Sequence, residues 1–195
     1  MKTKTNKTTH RKKILEAAAE LFFQQGYRAT GINEVIARSG VAKATFYNHF
    51  PAKEDLCLAY LQDRNTSEYE SIASFVNAHS SPKDRFLAVI ESIVPWLEGN
   101  GKRGCAFLNM VAEVPDPSNR LRRMGVLHYN MVRDLVHNLA QDLIDSNRES
   151  YGSLNADQLA DDYMVILVGA IAMVEVYSST EPTHAAIRMV KRLIE

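Results

Sequence analysis

A short polar segment, residues 43–49, carries the side chains with the clearest chemical use. Within seven positions it offers one positive charge and several hydrogen-bond donors and acceptors. Groups of this kind bind phosphate oxygens and the edges of bases in the major groove of double-stranded DNA. The residues concerned are Lys43, Thr45, Tyr47, Asn48 and His49. Taken alone, the same pattern also fits the polar surface of an ordinary three-helix unit.

Apolar residues flank this segment at spacings that let them all face inward. Ser39-Gly40-Val41 predicts a tight turn between two short helices, because glycine readily adopts a positive φ. A preceding helix over about 10–25 is predicted to end at Gly26 in a left-handed cap, and Thr30 is predicted to cap the next helix. The inward-facing residues are Ile14, Ala18, Leu21, Phe22, Ile32, Val35, Ile36, Val41, Phe46 and Phe50.

The charge of the chain is unevenly distributed although its net charge is zero. Residues 1–50 contain nine basic and three acidic residues, a surplus of six positive charges that the remainder of the chain balances. The basic residues are Lys2, Lys4, Lys7, Arg11, Lys12, Lys13, Arg28, Arg38 and Lys43. The N-terminal part therefore suits a polyanion, although the first thirteen residues also fit a solvated tail.

The rest of the chain also reads as helical, which gives an all-α fold of about nine helices in two domains, 1–54 and 55–195. Ser81-Pro82 predicts a helix start, Pro95 a kink or an end, and Asn155 a cap. The predicted helices beyond the turn are 42–50, 52–76, 82–98, 105–113, 118–145, 156–177 and 183–194, with 146–154 as a loop.

The stretch from Ile14 to Leu56 contains a series of short motifs: AAAELF (17–22), Gly26-Tyr27, Thr30, VIA (35–37), SGV (39–41), TFYNHF (45–50) and KEDL (53–56). With these motifs it closely resembles the DNA-binding domain of the tetracycline-repressor (TetR) family. The resemblance implies an N-terminal three-helix domain with a helix-turn-helix, followed by a helical ligand-binding and dimerisation domain.

The resemblance also implies roles for individual residues. Lys43, Thr45 and Asn48 would meet bases or nearby phosphates, and Tyr47 and His49 the backbone or an adjacent base. Thr30 and Lys53 are each implied to contact a phosphate at the start of a helix. Asn48 stands where many members carry an aromatic residue, and Lys43 where small or polar residues are common.

Helices 156–177 and 183–194 are predicted to pair with a second copy of the chain, because the first is apolar nearly all round. An effector cavity is predicted among the helices before them. Its candidate residues are Trp96, Cys105, Phe107, Asn109, Met110, Glu113, His128 and Met131. Most of these side chains also fit an ordinary core.

The expected function is a transcriptional repressor that binds operator DNA as a homodimer and is released by a small molecule. A thiol-sensing regulator is the main alternative, because Lys102 and Arg103 precede Cys105 and would favour its thiolate. An activator is also compatible with the sequence. Catalysis by Cys105 and His128 is not expected, nor is a cofactor or a metal, because the histidines lack metal-ligand spacing.

A cytoplasmic location on the nucleoid is expected, with no role at a membrane. The most apolar run, 163–174, has 12 residues, whereas a bilayer span needs about 20. The two cysteines also provide no disulfide framework.

Overall fold

The computed structural model describes residues 2–195, with side chains described from residue 9 onward. In that part of the chain the fold is all-α, as predicted, with ten helices and no strand. The helices are α1 (Lys2–Ala29), α2 (Ile32–Ser39), α3 (Lys43–His49), α4 (Lys53–Asn77), α5 (Pro82–Gly99), α6 (Ala106–Glu113), α7 (Arg120–Ser146), α8 (Arg148–Tyr151), α9 (Ala156–Tyr177) and α10 (Glu181–Arg192). The helix that the sequence did not predict, α8, is one turn in the expected loop. The side chains of Lys2, Lys4 and Lys7, part of the basic surplus, lie outside the described residues.

Gly26 interrupts α1 near its end. Its φ of 87° is positive, as a left-handed cap requires, but its ψ is 169°. The predicted left-handed cap is therefore wrong, because the backbone is extended here and helical geometry resumes up to Ala29. A Cβ atom at this position would lie 2.6 Å from Oε1 of Glu113, so any larger residue would displace that carboxylate.

The tight turn between α2 and α3 is confirmed. Gly40 ends α2 in the left-handed region, with φ 66° and ψ 21°, and its N–H donates to the carbonyl of Ile36 at 3.2 Å. The N-terminal cap of α2 is Gly31, so the prediction that Thr30 caps this helix is wrong. The Thr30 hydroxyl instead donates to the carbonyl of Gly26 at 2.7 Å, because that carbonyl lies at the interruption of α1.

Apolar side chains fix α3 to the helices before it. Phe46 is fully buried, and Phe50, Val41 and Val35 are nearly so, together with the predicted inward face of α1. Burial of a large apolar side chain contributes roughly 1.5–3 kcal/mol. Ile32 and Ile36 are only half-buried. The orientation of α3 is thus set by its aromatic face, which leaves the opposite face to solvent.

The chain divides into two compact units. The first comprises Met1–Thr66 and Ala106–Val126, and the second Ser67–Cys105 and Leu127–Glu195. The division falls inside α4, later than residue 54, and it groups α6 and the start of α7 with the N-terminal helices. The predicted end of the DNA-binding domain at residue 54 remains a prediction.

In the second unit α5, α9 and α10 pack against one another. The predicted helix starts are confirmed: Ser81 accepts from the N–H of Asp84 at 3.0 Å, and Asn155 from that of Gln158 at 2.9 Å. Pro95 does not end α5, which continues to Gly99.

None of the helices in residues 2–195 combines the length and apolarity needed to span a membrane.

Candidate DNA interface and effector cavity

The polar segment predicted from the sequence forms α3. Lys43, Tyr47 and Asn48 are exposed, while Thr45 and His49 are half-buried. The ring of Tyr47 stands edge-on against that of Phe46, with centroids 5.3 Å apart, so a buried aromatic supports an exposed one. The solvent face of α3 therefore offers one cation and several hydrogen-bonding groups on a helix whose other face is fixed in the core.

Thr30 lies away from this face. Its side chain is 1% exposed, and its hydroxyl both donates to Gly26 and lies 3.5 Å from the donating amide nitrogen of Gln25. Because these contacts and the burial hold the hydroxyl inside the unit, the structure offers no support for a phosphate contact by this side chain.

Lys53, at the start of α4, is half-buried against Tyr27. Its Nζ lies 4.5 Å from the centre of that ring and 3.3 Å from the carbonyl oxygen of Arg28. Burial lowers the pKa of this ammonium group, because removal from water disfavours the charged form. A phosphate contact by Lys53 would therefore require the side chain to leave these partners.

The start of α4 carries its own counter-charges. Asp55 accepts a hydrogen bond from the N–H of Ala52 at 3.1 Å, and a carboxylate in the first turn is favoured by the helix dipole. Arg120 bonds both Glu54, at 3.1 Å, and Asp55, at 2.7 Å. The N–H of Ala52, just before α4, is therefore already occupied by a carboxylate of the protein.

Glu113, predicted to line the effector cavity, lies in the first unit instead. Its carboxylate accepts from the N–H of Tyr27 at 3.0 Å and of Arg28 at 2.6 Å. Because Gly26 leaves the helical path, these two amides are exposed to a partner from α6. The structure therefore uses the Glu113 carboxylate as an acceptor for two backbone amides of the first unit.

The second unit contains a cavity of about 280 Å³. Of the eight residues predicted to line one, Trp96, Cys105 and His128 do so. Phe107, Asn109 and Met110 belong to the first unit with Glu113, and Met131 is not among the lining residues. The structure does not bring these residues to the wall of this cavity: Phe107, Asn109 and Met110 pack in the other unit, although they follow Cys105 closely in the sequence.

Several lining residues were missed by the sequence analysis. The polar ones are Glu68, Ser71, Ser92 and Tyr129, and the apolar ones are Ile72, Phe75, Val89, Ile93, Pro95, Val132, Leu167 and Ile171. Glu68, Ile72 and Phe75 share one helical face at i, i+4 and i+7, and a carboxylate on such an apolar stripe was the available signal.

The polar wall of the cavity is formed by Glu68, Cys105, His128 and Tyr129. The Nε2 atom of His128 lies 3.8 Å from Oε2 of Glu68, and these side chains are 7% and 10% exposed. Tyr129 lies beside Cys105, which is itself buried. The pKa of the Tyr129 phenol is raised, first by burial and second by the nearby Cys105. The phenol therefore remains protonated at neutral pH.

One face of α9 is apolar and exposed. Val165, Val176 and Tyr177 are 75%, 70% and 63% exposed, and Met189 on α10 is 50% exposed. Gly169 lies on the same face, and a Cβ atom there would meet nothing within 4 Å. An exposed apolar surface of this kind is typical of a protein–protein interface.

A helix-turn-helix with an exposed polar second helix, on the basic part of the chain, defines a DNA-binding transcriptional regulator. Residues 14–60 match the family model for bacterial regulatory proteins of the tetR family, and residues 82–190 match the model for the tetracyclin repressor-like C-terminal domain. The chain therefore belongs to the TetR family of transcriptional regulators, whose members are not enzymes.

Relatives of this chain include both an activator and a repressor of transcription. The transcriptional activator FasR of Mycolicibacterium smegmatis is 32% identical over 88 residues, which cover 45% of this chain and 40% of FasR. The chain thus matches less than half of the length of that relative. The transcriptional repressor DhaR of Mycobacterium sp. (strain GP1) is 26% identical over 181 residues, covering 90% of this chain and 87% of DhaR.

Among solved structures, SCO4454, a TetR-family regulator from Streptomyces coelicolor, has a TM-score of 0.87 with this chain. The two are 27% identical, and the match covers 96% of this chain and 95% of SCO4454. The fold is therefore shared over nearly the whole length.

Proposed function

We propose that this protein is a repressor that binds double-stranded operator DNA as a homodimer and is released when a small molecule occupies the cavity of its second unit. The observation that carries the proposal is the two-sided character of α3. Phe46 and Phe50 hold one face in the core, so Lys43, Tyr47 and Asn48 are presented from a fixed helix. Such a protein would act at the chromosome, in the cytoplasm.

The contacts proposed for DNA follow the exposure of the side chains. Lys43 and Asn48 suit base edges, and lysine can donate to the O6 and N7 acceptors of guanine. Tyr47, Thr45 and His49 suit phosphates or neighbouring bases. Thr30 is not part of this proposal, and Lys53 contributes only if it exchanges Tyr27 for a phosphate.

The effector is proposed to be a small molecule with an apolar body and one polar group. Aromatic and aliphatic side chains form most of the cavity wall, and the polar residues are gathered at Glu68, His128 and Cys105. Cavities of this composition are suited to small ligands. To release DNA, the ligand must bind more tightly to a conformer with low DNA affinity.

The homodimer is proposed to form through α9 and α10. The exposed apolar side chains on these helices support this interface, and an operator with two half-sites would match a two-fold dimer. Repression, rather than activation, is favoured because the similarity to the repressor DhaR extends over most of the chain.

The test is binding of the full chain to its own upstream DNA, measured by fluorescence anisotropy over a series of salt concentrations. Lys43→Ala should weaken binding and reduce the slope of log K against log salt concentration by about one. A change of that size is expected when one positive charge next to the DNA phosphates is lost. Tyr47→Ala should weaken binding with little change in that slope. The control is Lys83→Ala, which removes an exposed lysine from the start of α5.

Equal affinity of wild type and both α3 variants for every DNA in a random-sequence selection would refute the assignment of α3. Where the wild-type protein binds, compounds that release it from the DNA would identify the effector. Transcription in vitro with the same DNA would separate repression from activation.

A thiol-sensing function is the second candidate, because Cys105 lines the cavity. An electrophile such as N-ethylmaleimide should then release DNA from wild type but not from Cys105→Ser. Release of both proteins to the same extent would exclude this candidate. Cys57→Ser is the control, since the second cysteine is buried in the first unit and lines no part of this cavity.

A further inference from the structure

Three side chains of different chemical types converge on one wall of the cavity in the second unit. Glu68 comes from α4, Cys105 from the residue before α6, and His128 from α7. Their donor atoms, one carboxylate oxygen, one sulfur and one imidazole nitrogen, all lie within 4.8 Å of one another. All three side chains are buried.

The separation of the histidine and carboxylate donors is close to the one that a bound metal ion would impose. With ligand bonds of about 2.0–2.3 Å in a tetrahedral site, neighbouring donor atoms lie roughly 3.3–3.7 Å apart. The Nε2 atom of His128 and Oε2 of Glu68 are 3.8 Å apart. Side-chain movements of well under 1 Å would therefore bring these two donor atoms to the separation found between neighbouring ligands of one metal ion.

The donor set selects a class of metal. Thiolate and imidazole ligands favour borderline ions such as Zn²⁺, whereas Mg²⁺ and Ca²⁺ are bound by oxygen ligands alone. A divalent cation would also balance the charge of a carboxylate and a thiolate that are both removed from water. On coordination the Cys105 thiol loses its proton to the buffer, because the thiolate is the ligand.

We propose that Glu68, Cys105 and His128 form a binding site for a Zn²⁺-type cation in the wall of the cavity. Three protein ligands leave a fourth position of the tetrahedron for water or for a donor atom of a cavity ligand. Tyr129, which lies beside Cys105, would donate a hydrogen bond to the metal-bound thiolate from outside the coordination sphere. The site stands independently of whether the cavity also binds an effector and of whether the protein releases DNA.

Histidine spacing in the sequence argued against a metal site. Ligands recur at short intervals only in sites that are built on one helix or one loop. Here the three ligands lie on different elements, and only the packing of α4 and α7 around Cys105 brings them together.

The first measurement is the absorption spectrum of the full chain, stripped of metal by a chelator and titrated with Co²⁺. One equivalent should produce thiolate-to-cobalt charge transfer and the intense visible bands of a tetrahedral ion, and Zn²⁺ should displace both. The absence of charge transfer in the wild-type protein would overturn the proposal without recourse to any variant.

Variants then identify the ligands. Cys105→Ser should abolish the charge transfer, and Glu68→Gln and His128→Gln should weaken Zn²⁺ binding by roughly 100-fold or more, since partners that merely orient ligands already change affinity 10- to 100-fold. Two controls should bind as wild type: Cys57→Ser, and His137→Gln, which breaks the exposed pair of His137 with Asp157 at 3.7 Å. Charge transfer that survives Cys105→Ser, or affinity unchanged by His128→Gln, would overturn the assignment.

X-ray absorption at the zinc edge covers the case in which a variant fails to fold. The zinc-loaded wild-type protein should show one sulfur neighbour together with nitrogen or oxygen neighbours and the scattering of an imidazole ring. A shell of oxygen and nitrogen alone would place the metal elsewhere.

Discussion

The Oε2 atom of Glu113, the last residue of α6, accepts a hydrogen bond from the backbone N–H of Arg28 at 2.6 Å. Oε1 of the same carboxylate accepts from the N–H of Tyr27 at 3.0 Å. Both amides follow the interruption of α1 at Gly26. A side chain from α6 thus completes the hydrogen bonding of the N-terminal helices within the first unit.

Glu113→Gln should therefore destabilise the first unit. The substitution keeps the size of the side chain but replaces one acceptor oxygen by an NH₂ donor that would face an N–H. Loss of a charged acceptor from such a pair costs about 1–3 kcal/mol. Urea unfolding at one fixed protein concentration measures the change, with Glu98→Gln on the exposed surface of α5 as the control. Equal midpoints for both variants would mean that these two hydrogen bonds contribute nothing net.

Tyr163→Phe should destabilise the second unit. The buried Tyr163 hydroxyl donates to the carbonyl of Phe86 at 3.0 Å and accepts from the N–H of Ile90 at 2.7 Å, so it stands between two groups that an α-helix would pair directly. Without the hydroxyl, the carbonyl of Phe86 and the N–H of Ile90 must either bond each other directly or remain buried without this partner. The second alternative costs about 1–3 kcal/mol.

The control for this variant is Tyr177→Phe, because Tyr177 is 63% exposed. Thermal unfolding followed by circular dichroism compares the two. A loss in Tyr163→Phe no larger than in the control would show that α5 closes its own hydrogen bond once the hydroxyl is removed.

Acid should remove a contribution to stability that comes from α9. The hydrogen bond from Arg133, 2.7 Å from Asp161, holds the pKa of that carboxyl below its ordinary value of 3.8. A carboxyl whose pKa is lower in the folded state stabilises fully above its unfolded pKa, and this stabilisation disappears as the pH falls through the lowered pKa.

Asp161→Asn should consequently lower the urea midpoint at about pH 6, and the difference from wild type should shrink toward about pH 3. Asp134→Asn, which changes an exposed carboxyl on α7, is the control. A difference from wild type that stays constant across this range would show that the pairing with Arg133 does not contribute through the ionised carboxylate.

Local signals in the sequence predicted local structure well. Gly40 predicted the turn, Ser81 and Asn155 predicted the helix starts, and Phe46 and Phe50 predicted the buried side of α3. Each of these features depends on residues that are near neighbours in the chain. Of the two outcomes predicted for Pro95, a kink or an end, the end is wrong, since α5 continues to Gly99. Proline is tolerated inside a helix where the surrounding packing supports the backbone.

The cavity could be predicted only in part, because its walls depend on which helices meet. Phe107 and Glu113 follow Cys105 closely in the sequence, yet they pack in the other compact unit. Glu68 lies far from Cys105 and His128 in the sequence but beside them in the fold. Periodicity indicates which face of a helix is buried, but not which partner covers it.

The exposed face of α9 should mediate association with a second copy of the chain. Val165, Gly169 and Val176 recur at i, i+4 and i+11, so they lie along one side of the helix, and their exposure in a single chain leaves this surface for a second copy. Val176→Glu would place a charge in the proposed interface, where burial without a partner is costly. Sedimentation velocity should show a dimer for wild type and a dissociating or monomeric species for the variant. Val126→Glu is the matched control, since Val126 is 51% exposed on α7. If Val176→Glu remains as dimeric as that control, the two copies do not associate through this part of α9.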